Sequence, residues 1–330
     1  MNEKAKPIAL MVVVAVIGMV FAGSFLGALH HVEPHGVPVA VVAPGGAADR
    51  LGAMMDARAE GAFDLNGYAS EANAREALMN RDVDAVFVPG APGAQGGAKL
   101  IVAGATGRIE NGVLTEAFTG VGRATGQPVT VEDAAPLPPG DNNGISAIFF
   151  VITTVIPAVL MAVAFAFAVP AAGAWRRLGL LLTGSVVVGG AITWVGAGIV
   201  GALTGAPLAL WGVTSLLVFA VGAFTAGAFR MVGPAGAGLT ALLLVPIGLP
   251  ASGGPMGPRF IPEWYAAFGE WLPPAAAISA VRNVVYFDGN ALGRPLLVLA
   301  AWAVAGVVLV LVPKRARERG HVPAMEPAGS

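Results

Sequence analysis

The sequence predicts a membrane protein in which an all-α bundle of six transmembrane helices carries an inserted extracytoplasmic α/β domain. Of the 330 residues, 56% are hydrophobic and 12% are charged, whereas about 25% are charged in a typical soluble domain. The charges are also uneven, because most acidic residues fall between Glu33 and Asp141 and long stretches elsewhere contain none. A soluble domain placed between membrane spans accounts for this distribution.

Six apolar stretches approach the roughly 20 residues that a helix needs to cross a hydrocarbon core about 30 Å thick. They cover residues 8–29, 145–169, 178–203, 207–229, 231–249 and 295–312. The fifth is the weakest, since "VGPAGAG" interrupts its start and Pro246 its end, although helix bundles tolerate both residue types. Within these bounds there is no Asp, Glu, Lys, Arg or His. That absence weighs against a proton-driven transporter, while ion sites made of backbone carbonyls at broken helices remain open.

The basic residues predict the orientation of these spans, because Lys and Arg favour the cytoplasmic side. Six spans with both termini in the cytoplasm place the strongly basic short segments inside: Lys4 and Lys6, Arg176 and Arg177 of "AWRRLG", Arg230, and the basic tail 314–330. Residues 30–144 and 250–294 then lie outside. Segment 1–29 is expected to end in a signal anchor, because its apolar run is longer than a signal peptide needs and no A-x-A site follows.

Residues 30–144 alternate between strand and helix patterns, which predicts a small α/β domain. Five segments are predicted as strands: "VPVAVVAP", "FDLNGYAS", "VDAVFVPG", "AKLIVAGAT" and "QPVTVEDA". Three are predicted as helices: "GAADRLGAMMDARAEG", "SEANAREALMNRD" with Ser70 as its N-cap, and "NGVLTEAFTGVGRATG". About 100 residues are enough for this domain to hold a core of its own.

Several kinds of chemistry are excluded by composition and spacing. The chain has no cysteine and a net charge of −1, which excludes thiolate chemistry and gives no basic patch for a nucleic-acid partner. The loop "PGAPGAQGGAKL" fails as a phosphate loop, because Ala98 precedes Lys99 and Leu100 follows it. No G-x-S-x-G elbow is present, so an external hydrolase is not expected. No catalytic residue and no cofactor is predicted.

A cluster of His30, His31, Glu33 and His35 holds the densest set of possible metal ligands. Adjacent histidines on a proline-containing linker have no fixed geometry, so we expect a hydrated collar where the first helix leaves the bilayer. Metal binding is the less favoured alternative.

Small residues mark the predicted third span. Gly201 and Gly205 are spaced as G-x-x-x-G, a pattern that permits close contact between transmembrane helices. Packing within one bundle is favoured over a specific dimer face.

The segment 262–287 predicts a pair of short helices at the outer membrane interface. Pro262 can begin the first helix, and Pro273 and Pro274 can begin the second. The first carries an aromatic and apolar stripe of Trp264, Phe268, Trp271 and Leu272, and such aromatic residues prefer the headgroup level. In the second, Ile278, Val281 and Val285 recur at helical spacing, with Arg282 and Asn283 on the other side.

The motifs of this region resemble those of a known family of membrane proteins. "LPASGGP", then "FGEWLPPAAAISAVRNVVYFDG", then a final span is similar to the carboxy-terminal part of type 2 ATP-binding-cassette (ABC) transporter permeases. The branch it resembles has a large extracytoplasmic domain between spans 1 and 2 and includes phage-infection-protein-like membrane proteins. The sequence-specific part covers residues 250–289, and the organisation of the whole chain agrees with it.

The resemblance implies an exporter permease that pairs as a homodimer or heterodimer in the lipid bilayer and is driven by a separate nucleotide-binding ATPase subunit. A hydrophobic or amphipathic substrate would move outward through a bundle formed by residues 145–313. The outer gate would comprise Trp264, Phe268, Trp271, Pro273, Pro274 and Arg282, and the cytoplasmic coupling contacts would be Arg176 and Arg177. The Ala- and Gly-rich composition without cysteine suits a bacterial plasma membrane. The alternative is a non-transporting scaffold or receptor whose external domain binds a cell-envelope partner.

Overall fold

The computed structural model describes residues 5–30, 33–90 and 97–313. The chain is mostly helical, with one small sheet near its amino-terminal side. The helices are α1 (Ala5–Leu29), α2 (Ala47–Asp56), α3 (Glu71–Met79), α4 (Arg108–Thr125), α5 (Ser146–Ala168), α6 (Ala174–Thr193), α7 (Pro207–Val232), α8 (Pro234–Leu242), α9 (Glu263–Gly269), α10 (Pro273–Tyr286) and α11 (Gly293–Leu311). The strands are β1 (Val37–Val42), β2 (Phe63–Tyr68), β3 (Ala85–Val88), β4 (Ala98–Val102) and β5 (Val129–Asp133).

Within the described residues, the five predicted strands and three predicted helices of the sheet region (residues 37–133) are confirmed. The strand order is β2-β1-β3-β4-β5, and every pair is parallel except β3 with β4. Only nine residues separate these two strands in the sequence, fewer than the dozen or more that a parallel crossover needs, and a short connection favours antiparallel pairing. The predicted N-cap is also confirmed, since the Ser70 hydroxyl accepts the amide hydrogen of Asn73 at 3.2 Å.

Both faces of the sheet are covered. Helices α2 and α4 pack on one face around Leu114 and Phe118, and α3 packs on the other around Leu78. Each hydrophobic cluster also takes in one phenylalanine from the segment after α8. Phe260 joins the first cluster and Phe287 the second, and both are fully buried. The sheet region is therefore fastened to the 250–294 segment through both of its cores.

Five described helices are long and apolar enough to cross a membrane: Pro7–Leu29, Ser146–Ala168, Ala174–Ile199, Pro207–Val232 and Gly293–Leu311. The predicted span 231–249 forms a shorter apolar helix, Pro234–Ile247. Gly233 and Pro234 begin it late, and Pro246 lies in a terminal π-helical turn. Its 14 residues reach about 21 Å at 1.5 Å per residue, less than a hydrocarbon core. By length and composition, five of the described helices are candidate spans, and Pro234–Ile247 is too short to be counted as a sixth.

Helix α7 is the centre of the bundle and packs against α5, α6 and α11. Its contact with α11 depends on two glycines that face each other. A Cβ atom built on Gly306 would lie 2.4 Å from the amide nitrogen of Phe224, and one on Gly227 would lie 2.4 Å from the Cβ of Leu309. These distances are too short for real atoms, so the two backbones approach because neither residue has a side chain.

The predicted G-x-x-x-G helix face is wrong. The helix that contains α6 ends in a π-helical segment at Ile199, so Gly201 and Gly205 lie in the connection to α7. Gly201 has a φ of +70°, which is a turn conformation that glycine adopts readily. Gly205 does allow a close contact, but with the backbone of Val285 in α10.

Helix α1 lies against the residues that follow α8. The Ser24 hydroxyl is hydrogen-bonded to the Tyr265 hydroxyl, which donates to the carbonyl of Ile247 at 2.8 Å. Most large apolar side chains of α1 are otherwise exposed. Lipid or another polypeptide has to cover them, because water does not favour so large an apolar surface.

We expect Gly306→Ala to lower the free energy of unfolding by about 1–3 kcal/mol, because the added methyl group meets the α7 backbone. Gly212→Ala is the matched control, since it lies on α7 with open space at its Cβ position and alanine is the better helix former. The melting temperatures of both variants and of the wild type, measured in detergent, test this prediction. Equal melting temperatures for the two variants would contradict the close α7–α11 contact.

Candidate functional site

A cavity of about 320 Å³ lies between the sheet region and helix α10. We call it the junction cavity. Its polar and charged lining residues are Arg81, Asp84, Glu110, Ser252, Arg259, Glu270, Ser279, Arg282, Asn283 and Arg294. It has the size of a small-ligand pocket, for which about 300 Å³ is the lower end, and it combines groups that are far apart in the sequence.

The sheet region contributes Arg81 and Asp84 through the turn between α3 and β3. Arg81 has a φ of +60°, an uncommon value for a residue with a side chain. Its guanidinium donates to the Asn283 side-chain oxygen at 3.0 Å and lies 5.1 Å from the centre of the Phe287 ring. The backbone amide of Asp84 donates a hydrogen bond to the carbonyl of Pro38 at 2.8 Å, which fixes the position of this residue. This turn is therefore docked on α10.

Glu110, in the first turn of α4, is a buried acid of the cavity. Burial and the nearby charge of Asp84 raise the pKa of its carboxyl to about 8, although Arg81 and Arg282 act in the opposite direction. The Thr106 hydroxyl has the smallest effect on this pKa, and its proton is donated to the Ala103 carbonyl at 2.9 Å. Glu110 is thus mostly neutral at pH 7.

Burial also raises the pKa of Asp84, and the charges of Arg259 and Arg81 oppose that shift. In the part of the chain that the structure describes, no ion pair of 4.0 Å or less joins Asp84 or Glu110 to an arginine. The carboxyls and guanidiniums consequently face a shared space instead of neutralising one another by contact.

Arg282 on α10 is 5% exposed. One of its terminal nitrogens donates to the carbonyl of Gly144 at a long 3.5 Å, and its Nε has no hydrogen-bond partner among the described residues. Burial lowers the pKa of Arg282, but a guanidinium stays charged at any ordinary pH. The cavity therefore contains a buried positive charge that is only partly solvated by the protein.

Next to Arg282, a hydrogen-bonded pair connects α10 to α5. The Tyr286 hydroxyl donates to Asp141 at 2.7 Å, and the Asp141 carboxylate accepts the amide hydrogens of Ile145 and Ser146 at 3.2 Å. Burial and the bond to Asp141 raise the pKa of Tyr286. Helix α10 is thereby tied to the first turn of α5.

Arg294 and Glu270, both in the cavity lining, form an exposed ion pair at 2.5 Å. The rest of the lining has three guanidiniums, on Arg81, Arg259 and Arg282, and two carboxyls with raised pKa values. Within the described ranges, no three His, Cys, Asp or Glu side chains are grouped to hold a metal ion. The proposed metal cluster includes His31, which lies outside the described residues. The arrangement of the cavity is suited to binding a charged group.

The predicted gate residues separate into two groups. Trp264 and Phe268 on α9 and Trp271 just after it are exposed, at 73% for Trp264 and 65% for Trp271, whereas Leu272 of the predicted stripe is buried. Pro273 and Pro274 begin α10 as predicted and are buried with Arg282. Arg282 and Asn283, which the sequence puts on the polar side of α10, are both buried, because the sheet region covers that side.

The two predicted coupling residues also differ. Arg176 is exposed at the start of α6, but Arg177 is 8% exposed and donates to the Val169 carbonyl at 3.4 Å. Arg177 thus stabilises the α5–α6 turn. Of the pair, Arg176 has the free surface that a coupling contact needs.

Sequence reasoning did not identify Arg81, Asp84 or Glu110 as site residues. Each lies at the end or start of an ordinary surface-type element, where charged residues are common. The available signal was indirect: Arg282 and Asn283 interrupt a segment that is otherwise apolar.

Comparison with known proteins gives no match, whether with protein-family models, curated proteins or solved structures. The functional interpretation of the chain therefore rests on its own residues and their geometry.

The raised pKa of Glu110 should make the stability of the protein depend on pH. Between its ordinary value of 4.5 and about 8, the folded protein keeps a proton that the unfolded chain has lost, so stability falls as pH rises, by at most about 1.4 kcal/mol per pH unit. Asp84 acts with the same sign. We expect Glu110→Gln to remove the contribution of Glu110 to this pH dependence. The melting temperature of the variant should therefore rise relative to that of the wild type between pH 5 and pH 8.

Glu116→Gln, on the exposed face of the same helix, serves as the control. Melting curves at each pH compare the three proteins. A constant difference between Glu110→Gln and the wild type across this range would mean that Glu110 is charged in the folded state.

Proposed function

We propose that this chain is the membrane-spanning permease subunit of an ABC-type exporter, which moves a hydrophobic or amphipathic substrate outward with energy from a separate ATPase subunit. The position of α10 is the observation that carries the proposal. This helix packs against α5, α7 and α11 of the bundle, and its polar side forms the junction cavity with the sheet region. A rearrangement of the bundle would therefore move the sheet region with it.

In this proposal the chain has six spans, and the sheet region is an inserted extracytoplasmic domain. Helix α8 with its π-helical end is the short fifth span, and α9 and α10 are the outer helix pair before the last span. The exposed Trp264 on α9 and Trp271 just after it suit the outer headgroup level. Both termini are cytoplasmic, in a bacterial plasma membrane, and the basic tail 314–330 lies outside the described residues.

Partners follow from surfaces that the chain leaves uncovered. Helix α1 exposes a long apolar face, which lipid or a second permease subunit would cover in a homodimer or heterodimer. Arg176 stands at the start of α6 on the side proposed as cytoplasmic, where an ATPase subunit would dock. We place the coupling contact there, with Arg177 supporting the turn from within.

The second candidate function is a non-transporting scaffold or receptor. It is favoured by a wide depression of about 820 Å³ on the α4 and β5 side of the sheet region. The depression is open to solvent and is lined by polar residues, including Arg108, Asn111, Arg123 and Asp133. An external partner of the cell envelope would bind there without any need for transport.

The test is a pull-down of the tagged chain in mild detergent, with ATPase activity assayed on the material that co-purifies. A stoichiometric nucleotide-binding subunit with vanadate-sensitive activity supports the permease. If the chain purifies as an oligomer of itself without ATPase activity, the result favours the scaffold or receptor function.

In the same assay we expect Arg176→Glu to weaken association with the ATPase subunit about fivefold to tenfold. An exposed ion pair contributes up to about 1 kcal/mol, and the reversed charge adds repulsion. Arg123→Glu, an equally exposed reversal in the sheet region, should leave association unchanged. Normal recovery of the subunit with Arg176→Glu would exclude this contact.

A further inference from the structure

We propose that the junction cavity binds an oxyanion, either a carboxylate or a phosphate group, through the guanidiniums of Arg81, Arg259 and Arg282. This goes beyond the permease function, because it concerns equilibrium binding and requires neither an ATPase nor transport.

The first observation is the balance of charge inside the cavity. Three guanidiniums face two carboxyls, and no short ion pair joins the two sets among the described residues. Burial raises the pKa values of both Asp84 and Glu110, so their neutral forms gain population. The space between them consequently has an excess of positive charge.

The second observation is the incomplete solvation of Arg282. Its side chain is more than nine-tenths buried, it lines the cavity, and its Nε has no partner in the described structure. A buried charge needs either an opposite charge or several hydrogen bonds. A guanidinium presents donors in a planar fork that matches the oxygens of a carboxylate or a phosphate.

The third observation is size and access. A volume of about 320 Å³ corresponds to roughly ten water molecules at about 30 Å³ each, enough for a phosphate group with some of its hydration. The Glu270–Arg294 ion pair in the cavity lining is exposed. A cation is disfavoured here, because it would meet three guanidiniums.

Two sources can supply such a group, a free oxyanion in solution or the headgroup of a lipid. The exposed aromatic side chains of α9 lie beside the cavity, where Ala266 of the same helix is part of the lining. The chemistry that the arginines recognise is the same in both cases, so binding measurements with both probes are needed to separate them.

The experiment uses the full chain in an uncharged detergent, without nucleotide. Isothermal titration calorimetry measures the dissociation constants for inorganic phosphate and for dihexanoyl phosphatidic acid, a short-chain lipid. We expect Arg259→Gln to weaken binding about tenfold, as for the loss of a charge-assisted hydrogen bond. We expect Asp84→Asn to strengthen binding, because the variant loses the fraction of Asp84 that is still charged and repels the oxyanion.

Arg50→Gln is the matched control, since Arg50 is exposed on α2 and is not part of the cavity lining. Arg259 is also exposed, so Arg259→Gln is expected to fold. The stronger binding expected for Asp84→Asn is a second test, which does not depend on the Arg259 variant. Melting curves verify that every variant is folded.

Saturable binding of both probes with this pattern of variants supports a site for free oxyanions. Binding of the lipid alone, with the same pattern, supports a headgroup site. Absence of saturable binding, or binding that neither Arg259→Gln nor Asp84→Asn changes, would overturn the proposal. Because no ATPase takes part, failure of the permease hypothesis leaves this result unaffected.

Discussion

The burial of the Arg282 guanidinium is the constraint on which the junction between bundle and sheet region depends. An arginine cannot lose its charge inside a protein, so the surrounding chain has to supply polar groups at close range. The connection before α5 supplies the carbonyl of Gly144, and the Tyr286 and Asp141 pair lies nearby. The sheet region supplies Glu110 and Asp84 across the cavity. Helix α10 therefore has a defined rotation, because turning it would bring this charge against apolar side chains.

The same helix explains why the sheet region does not hang from the bundle as an independent unit. Asn283 accepts from Arg81 and donates to the carbonyl of Ala291, while Phe260 and Phe287 are buried in the two hydrophobic clusters of the sheet region. Polar contacts orient this interface, and the two phenylalanines add apolar burial to it. A motion of α10 relative to α5 and α7 would be transmitted to the sheet region through these contacts.

Close packing in the bundle has a different origin. Helices α7 and α11 approach because Gly227 and Gly306 present no side chains, and the buried hydroxyls of Thr214, Thr225 and Thr240 donate to carbonyls one turn earlier. These three hydroxyls are thereby paired within their own helices. The bundle thus combines tight helix contacts with threonine hydroxyls that need no partner from another helix.

The sequence by itself determined the features that depend on local patterns. Strand and helix segments of the sheet region, the Ser70 cap, five apolar helices and the proline starts of α9 and α10 all follow from residues that are near one another in the chain. Only the tertiary structure decided which groups meet across long separations. It removed Gly201 and Gly205 from any helix, because the helix ends before them, and it shortened the segment around Pro246. It also buried Arg282 and Asn283 opposite Arg81, Asp84 and Glu110, because the sheet region folds back onto the polar side of α10.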